Sequence, residues 1–290
     1  MTTIALATSR AHAALAADDR ALVPAFEAFG LRAEPVVWDD PSVDWAGYAA
    51  AVVRSTWDYH LDPAAFLQWI ARVESAGVRL FNPPHVLRWN SDKRYLRELE
   101  SRGVPIVPTA WIEPGDAPSL AATLAQLGWA EVVVKPVVSA SAHGTWRTSV
   151  ARAEIDADRF ATAANASRLM VQPFVDAIRT HGEWSLVFID GRHSHAVLKQ
   201  AAAGEYRVQA EWGGRATHLD PGGARIAAAE AVMRALPFAP DDCVYARVDG
   251  VEVAGVFRLM ELELVEPSLF LDARPGSARD LATAIARRLA

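Results

Sequence analysis

Four charged residues on two short runs carry the chemistry this sequence can be read for. Arg247 and Asp249 lie in Tyr245-Ala-Arg-Val-Asp-Gly-Val, and Glu261 and Glu263 lie in Leu259-Met-Glu-Leu-Glu-Leu-Val-Glu-Pro-Ser. Both runs are strand-like, with a Gly-containing bend between them. Residues two apart on a strand share a face, so Glu261 and Glu263 point out of one surface, with Met260, Leu262 and Leu264 on the other. If the runs pair as neighbours, Asp249 reaches the same spot. Three carboxylates gathered without a cation raise one another's pKa, and hard oxygen ligation of Mg²⁺ relieves that conflict. The pattern predicts a site for Mg²⁺ and phosphates, with Asp249, Glu261 and Glu263 as the metal ligands.

Other candidates are weaker alone. Lys135 ends an apolar strand and precedes Ser139-Ala-Ser-Ala-His-Gly-Thr. A lysine there can meet phosphate oxygens, while Ser139, Ser141 and Gly144 let backbone N–H groups approach them. A solvated lysine is the commoner outcome for Lys135 by itself, as it is for Lys93 in the first turn of an expected helix. Val171-Gln172-Pro173-Phe174-Val175 is an extended apolar segment whose proline cannot donate to a ladder, which suits an adenine ring and equally an edge strand of the core. Glu183 and Lys199 lie on opposite arms of a hairpin turned at Asp190-Gly191. With a clean two-residue turn Glu183 faces Leu198, and Lys199 shares its cleft only if a bulge intervenes. Arg54-Ser55-Thr56-Trp57-Asp58-Tyr59 follows a strand of an α/β segment, where open sheets bind their substrates. His193 and His195 share a face at metal-ligand spacing, but no third ligand is evident, and two packed or exposed histidines are the expectation. Walker A, GxGxxG, GxSxG and HExxH patterns are absent.

The elements that must position these residues fall into three segments. Strands at Ile4–Thr8, Glu34–Trp38 and Tyr48–Arg54 alternate with helices at Asp19–Phe29 and Pro63–Ala76, which predicts a parallel α/β sheet. A helix from Ser91 or Asp92 to about Ser101, a helix at Ser119–Leu127, a strand at Glu131–Pro136 and a helix at Asp156–Ala166 follow. The third segment opens with Leu169–Val175 and continues through the Glu183–Ile189 and Arg192–Gln200 hairpin and a helix at Ala224–Ala235. The acidic strands come next, and an Arg-rich helix at Ala278–Ala290 closes the chain. The expected domains are 1–88, 89–168 and 169–290.

A chain of 290 residues with a net charge of −6 has room for two or three small cores and no global attraction for nucleic acid or anionic membranes. Its apolar runs are too short to span a bilayer. The start, Met1-Thr-Thr-Ile-Ala-Leu, reads as a first strand and not as a secretion signal. The single Cys243 excludes an intramolecular disulfide and any CxxC site, and a small buried residue fits it better than a catalytic thiol. A cytoplasmic monomer or homodimer is the expectation.

Taken in order, Lys93, Lys135-Pro136 with its small-residue loop, Val171-Gln-Pro-Phe, Gly204-Glu-Tyr-Arg207 with Gly213-Gly214, Arg247-Val-Asp249 and Glu261-Leu-Glu263 resemble the ATP-grasp superfamily. The series is most similar to the glutathione synthetase and ribosomal-protein glutamate ligase branch, over roughly residues 90–275. The resemblance implies an N-terminal parallel-sheet domain followed by a fold that grips ATP between two α+β subdomains. It implies that Lys93 and Lys135 contact phosphates, Gln172 to Val175 touch adenine, and Glu183 holds the ribose or a neighbouring polar group. Arg207 would face the phosphate and acceptor region, Arg247 the reacting carboxylate, and Asp249, Glu261 and Glu263 one or two Mg²⁺. Lys199 and Ser268 join residues 54–59 on the substrate side. Two departures stand out: Glu263 occupies a position where the family usually has Asn, and the Ser139–Gly144 loop has one glycine where glutathione synthetases have several. Arg54-Ser-Thr-Trp-Asp-Tyr, Gly182-Glu-Trp-Ser and the Glu261–Leu271 run are similar to a subgroup that includes the O-ureidoserine cyclo-ligase of cycloserine biosynthesis. The implied activity is ATP- and Mg²⁺-dependent carboxylate–amine ligation of a small amino-acid-like molecule through an acyl phosphate. The alternatives are a non-catalytic nucleotide-binding protein with the same fold and a kinase acting on a small alcohol.

Overall fold

The computed structural model describes residues 1–115 and 118–290. The chain begins with β1 (Thr2–Thr8), α1 (Leu22–Glu27), β2 (Leu31–Val37), β3 (Ala50–Val53), α2 (Pro63–Ser75) and β4 (Arg79–Phe81). These strands form the expected parallel sheet, in the order β2-β1-β3-β4. Ile4–Ala7 and Ala50–Val53 are buried throughout, as strands covered on both faces must be. α2 starts with Pro63 behind the Asp62 cap, whose carboxylate accepts from the Ala65 amide (3.0 Å). It lays Phe66, Trp69, Ile70 and Val73 against one face of the sheet. The other face is covered by Phe26 of α1 and by Leu281 and Ile285 of the chain's last helix.

The middle of the chain supplies α3 (Pro84–Asn90), α4 (Tyr95–Ser101), β5 (Ala110–Ile112), α5 (Leu120–Leu127), β6 (Glu131–Pro136), β7 (Trp146–Ser149), α6 (Ala157–Ala166) and β8 (Leu169–Pro173). Its antiparallel sheet runs β5-β8-β6-β7. Leu120, Leu124 and Phe160 pack on Val132, Val134 and Val171, leaving the opposite face to look outward.

Three expectations are corrected here. The helix expected to start at Ser91 or Asp92 begins only at Tyr95, as α4, and Lys93 sits in the break between α3 and α4. β8 is an interior strand that hydrogen-bonds both β5 and β6, not an edge, with Pro173 at its end. The expected boundary at 168/169 therefore cuts a sheet, and the chain leaves the central sheet only after Pro173.

The third part holds α7 (Ala177–Thr180), β9 (Glu183–Ile189), β10 (Arg192–Gln200), β11 (Arg215–His218), α8 (Gly222–Arg234), β12 (Tyr245–Val253), β13 (Val256–Glu263) and α9 (Ser277–Leu289). Its antiparallel sheet runs β11-β10-β9-β12-β13. One face carries Leu186, Phe188, Ala246, Val248 and Leu262, and α8, α3 and α4 cover it with Met233, Val86 and Leu96 among others. So α4, expected to belong with the central unit, packs together with α3 under the C-terminal sheet. They also satisfy its edge. Asn90 donates to the Leu262 carbonyl (2.8 Å) and accepts from the Leu264 amide (2.7 Å), and the Tyr95 hydroxyl accepts from the Leu262 amide (3.0 Å). An open edge strand is thereby fixed in place.

Two bulges decide which side chains face where. The register of β10 against β9 shifts between His193 and His195, and that of β13 against β12 shifts between Leu259 and Glu261. The first puts Lys199 directly opposite Glu183, not Leu198 opposite Glu183. It also sends the two histidines apart: His193 meets the Phe188 ring, while the His195 ring bonds the Leu269 carbonyl (2.9 Å) on the other side. The second bulge turns Met260 away from the core face expected for it and toward the cleft.

Candidate functional site

The free faces of the central and C-terminal sheets look at each other across a cavity of about 290 Å³. One wall is built by alternation on β6 and β8, where Val133 and Lys135 stand beside Gln172. The other is built on β9, β10, β12 and β13. In that register Arg247 lies opposite Glu263 and Asp249 opposite Glu261, while Asp249 also neighbours Ser185. The expected convergence of the two acidic runs is what the strand pairing produces.

Charge is densest on this second wall. The Arg247 guanidinium donates to both oxygens of Asp249 (2.9 Å from Nε to Oδ1 and from Nη2 to Oδ2), to the Ser268 carbonyl (2.9 Å) and to Glu263. Asp249 also accepts from Ser185 (2.6 Å) and from Lys199 (3.0 Å), and Lys199 in turn pairs with Glu183. Gly182 makes that last pairing possible. It has a positive φ of 83°, and a Cβ on it would lie 2.6 Å from the Lys199 carbonyl oxygen. Burial pushes the Asp249 carboxyl up, but Arg247 and Lys199 outweigh it and hold the group below the usual carboxylate range. Glu263 goes the other way. Burial, reinforced by Glu261 and Asp249 and opposed by Arg247, raises it to about 7. Burial and the nearby Glu263 also lift Glu266 well above its ordinary value.

Lys93 bridges the two walls, and Lys135 lines the cavity from the first. The Lys93 ammonium donates to the Ser139 carbonyl and pairs with Glu261 (3.1 Å). It is 9% exposed, not the surface residue a helix-turn lysine suggests. Lys135 projects from the end of β6, where burial lowers its pKa against the opposing pull of Glu261 and Glu183. Ser139 and Ser141 line the cavity. Gly144 does not, and it tightens the loop from behind: its φ is +67° and a Cβ would stand 2.9 Å from Pro136 Cγ.

The other end of the cavity is apolar. Val107, Val133, Pro173, Phe174, Val175, Met260 and Leu262 line it, with Gln172 held by a hydrogen bond to Thr109 (2.9 Å). Arg207 lines the same space from the 201–214 loop. There it pairs with Glu205 (2.6 Å), which it holds at a pKa of about 2, and lies 3.2 Å over the Trp212 ring.

The expected substrate loop divides. Trp57 and Tyr59 line the cavity, as does Ser268. Arg54, Ser55, Thr56 and Asp58 do not. Arg54 is fully buried against Asp19 (2.9 Å) and the Pro267 carbonyl (2.6 Å), Ser55 donates to Asp19 (2.6 Å), and Asp58 accepts from the Trp38 indole (2.8 Å). The chain turns inward after β3, so Arg54 ties the N-terminal sheet to the segment after β13, while Ser55 and Asp58 bond within the N-terminal part. Glu266, Phe270 and Tyr206 line the cavity without having been singled out in the sequence. For Glu266 the only signal was its place as the third acid of the Glu261–Glu266 run, beyond the end of β13, where strand alternation no longer applies.

The fit to Mg²⁺ rests on donor chemistry. Three hard carboxylates sit close together, Asp249 opposite Glu261 and Glu263 two residues along the same strand, and burial, with their mutual repulsion adding to it, raises Glu263. They are not a ready-made cage. Among the described residues no three His, Cys, Asp or Glu side chains are gathered around one point, because Arg247 and Lys93 engage the carboxylates first. Cys243 is buried and its thiol is pushed up to about 12 by that burial, in keeping with a packing residue. No helix among the described residues is long and apolar enough to cross a membrane.

Comparison with known proteins bears on the same features. The family described as D-cycloserine synthetase DcsG, N-terminal domain, matches residues 4–82. The chain is 34% identical over 296 residues to the cycloserine biosynthesis protein DcsG of Streptomyces lavendulae, covering 99% of this chain and 98% of that protein. The crystal structure of D-cycloserine synthetase DcsG superposes with a TM-score of 0.88 at 33% identity, over 99% of this chain and 100% of the other. A RimK-domain ATP-grasp protein from Sphaerobacter thermophilus superposes with a TM-score of 0.71 at 20% identity, over 99% of both chains. The two facing sheets and the charged cleft between them are thus those of an ATP-grasp enzyme, an ATP-dependent ligase. Within that class, the chain belongs to the family of DcsG.

Proposed function

We propose that this ligase is an ATP- and Mg²⁺-dependent carboxylate–amine ligase that closes a ring within one small amino-acid molecule of the O-ureidoserine type. The observation that carries the reading is the polarity of the cavity, apolar at one end and lined at the other by Lys93, Lys135, Arg247 and a surplus of carboxylates. The apolar end, with Gln172 to Val175, suits the adenine, and Glu183 the ribose. Lys93, Lys135, Ser139 and Ser141 then meet the phosphates, and Arg207 exchanges Glu205 for phosphate oxygens.

Arg247 holds the substrate carboxylate in line with the γ-phosphorus. Attack gives an acyl phosphate and ADP, and a nitrogen of the same molecule then attacks the acyl carbon and expels phosphate. Positioning and charge neutralisation supply the catalysis, so no protein nucleophile is needed. Mg²⁺, held by Asp249, Glu261 and Glu263, would supply Lewis-acid neutralisation of the phosphate oxygens. D-cycloserine synthesis, for which the DcsG relatives are named, supports a cyclising reaction on an amino acid.

The experiment is ADP release with O-ureidoserine, followed by mass spectrometry of the product and of phosphate from carboxylate-¹⁸O substrate. ¹⁸O in the phosphate together with a cyclic product is the expected result. A stable phosphorylated substrate without ¹⁸O transfer from the carboxylate would mean a kinase, and no substrate-stimulated ADP release a non-catalytic binder.

A further inference from the structure

We propose that Glu266 is the receptor for the substrate's ammonium group, so that the site takes amino acids in preference to the corresponding carboxylic acids without an amine. The inference rests on the reading of the cavity as a ligase site for an amino acid and adds the residue that holds the substrate's amine. Every other acid buried in the charged wall has a basic partner within the protein. Glu183 has Lys199, Asp249 has Lys199 and Arg247, Glu261 has Lys93, and Glu263 has Arg247. Glu266 has none. It is 8% exposed and lines the cavity, and among the described residues its carboxyl oxygens take part in no ion pair and no hydrogen bond; only its main-chain carbonyl is used.

A carboxyl group taken out of water without a partner is strongly disfavoured as an anion, and a cation brought against it relieves that cost. The protein's own lysine in this corner is already committed, since Lys93 is spent on Glu261 and the Ser139 carbonyl. A cation that draws Glu266 into its ionised form can therefore come only from the cavity. The surroundings suit an ammonium group. The Trp57 indole donates to the Glu266 carbonyl (2.9 Å), which fixes the residue, and the Trp57 and Tyr59 rings line the same end of the cavity. Aromatic faces beside a carboxylate attract ammonium ions by their quadrupole as well as by charge. Trp57 and Tyr59 come from the N-terminal domain and Glu266 from the segment after β13, so the receptor is completed where those two parts meet.

The test compares matched acids that differ only in carrying or lacking the α-ammonium: O-ureidoserine with its des-amino counterpart, and serine and alanine with 3-hydroxypropionate and propionate. ADP release and the ligand-induced melting shift in the presence of ADP and Mg²⁺ are read for wild type, Glu266→Gln and Glu266→Asp. Wild type should favour the amine-bearing member by about 100-fold or more in kcat/KM, as expected when a buried polar group is left unpaired by the wrong ligand. Glu266→Gln should bring that ratio below about 5-fold, as loss of a charged hydrogen bond does, through KM for the amino acid and with KM for ATP unchanged. Glu266→Asp should keep part of the preference. An unchanged ratio in Glu266→Gln overturns the proposal. So does a rise in KM for ATP or in the Mg²⁺ requirement, which would put Glu266 on the nucleotide side. Absence of any amine preference in wild type, in either readout, overturns it as well. If O-ureidoserine is no substrate but amine-bearing ligands still shift the melting of wild type and not of Glu266→Gln, the substrate named above falls and the role of Glu266 stands.

Discussion

Two buried arginine–aspartate pairs divide this molecule between them. Arg54 and Asp19 meet at 2.9 Å with side chains 0% and 3% exposed, and Arg247 and Asp249 meet at the same distance with side chains 9% and 2% exposed. By type and burial they are alike. They differ in what surrounds them. Around Arg54 the partners close on themselves: Asp19 also takes the Ser55 hydroxyl, Ser55 takes the Ala16 amide (3.1 Å), and Arg54 takes the Pro267 carbonyl. Around Arg247 one side of the cluster faces a cavity, and more carboxylates converge than the guanidinium can pair. Burial with charge marks structure in the first case. Burial with charge, an open side and an unbalanced set of acids marks the site in the second.

The comparison breaks if the two clusters respond alike to substitution. Arg54→Met strands Asp19 in the core and should cost about 3–5 kcal/mol of stability, measured by denaturant unfolding. The folded fraction should keep its KM for ATP and for substrate, since Arg54 lines no part of the cavity. A variant of normal stability with a raised substrate KM would return Arg54 to the substrate side.

Glu261→Gln should give the opposite pattern. Glu261 is half-buried on the cavity wall, and its loss should lower ADP formation by about 100–1,000-fold, the scale of losing one preorganised electrostatic contact, while the melting temperature stays close to wild type. Near-normal turnover would remove Glu261 from the metal-binding set.

How far the sequence reached follows the same division. The regular elements were legible because alternation and 3.6-residue periodicity report burial directly: β6, β9 and β10 begin and end where the sequence puts them, and α2 and α9 within a residue or so. The charged face of β12 and β13 was legible for the same reason. What alternation could not show was a register shift. The bulge near Ser194 gave Lys199 to the Glu183 side and separated the histidines, and the bulge at Met260 turned a core expectation toward the cleft. Nor could local pattern show that the polar run after β3 turns inward. Arg54 finds its partners 35 residues before it and 213 after it, and Glu266 lies in a segment without period, where no face is implied.

A smaller effect refines the boundary of the sealed region. Asp58 was expected to touch substrate, and its carboxylate instead accepts from Trp38. Asp58→Ala should cost about 1.5 kcal/mol, the worth of a hydrogen bond to a charged group, with KM for substrate unchanged. A substrate KM that rises without loss of stability would move the edge of the site to include Asp58.

The smallest effect tests whether the sealed region is fully balanced. Asp18, next to Asp19, accepts from the Asp272 amide (3.1 Å), but its other oxygen is buried without a partner. Burial, helped by Asp19 and opposed by Arg54, raises its pKa from 3.8 to about 6. The folded state therefore binds this proton more tightly than the unfolded chain does. The stability it contributes is fully present below the unfolded value of 3.8 and is lost as pH rises through about 6. Asp18→Asn keeps an acceptor for the amide and removes the charge. It should leave stability near pH 4 almost unchanged and raise it at pH 8 by about 1 kcal/mol, a melting shift of roughly 2 °C. The full rise in pKa corresponds to about 3 kcal/mol, which water reaching the half-buried side chain reduces. Equal shifts at both pH values would mean that Asp18 is as well balanced as Asp19, and that the strain in this cluster belongs to packing and not to charge.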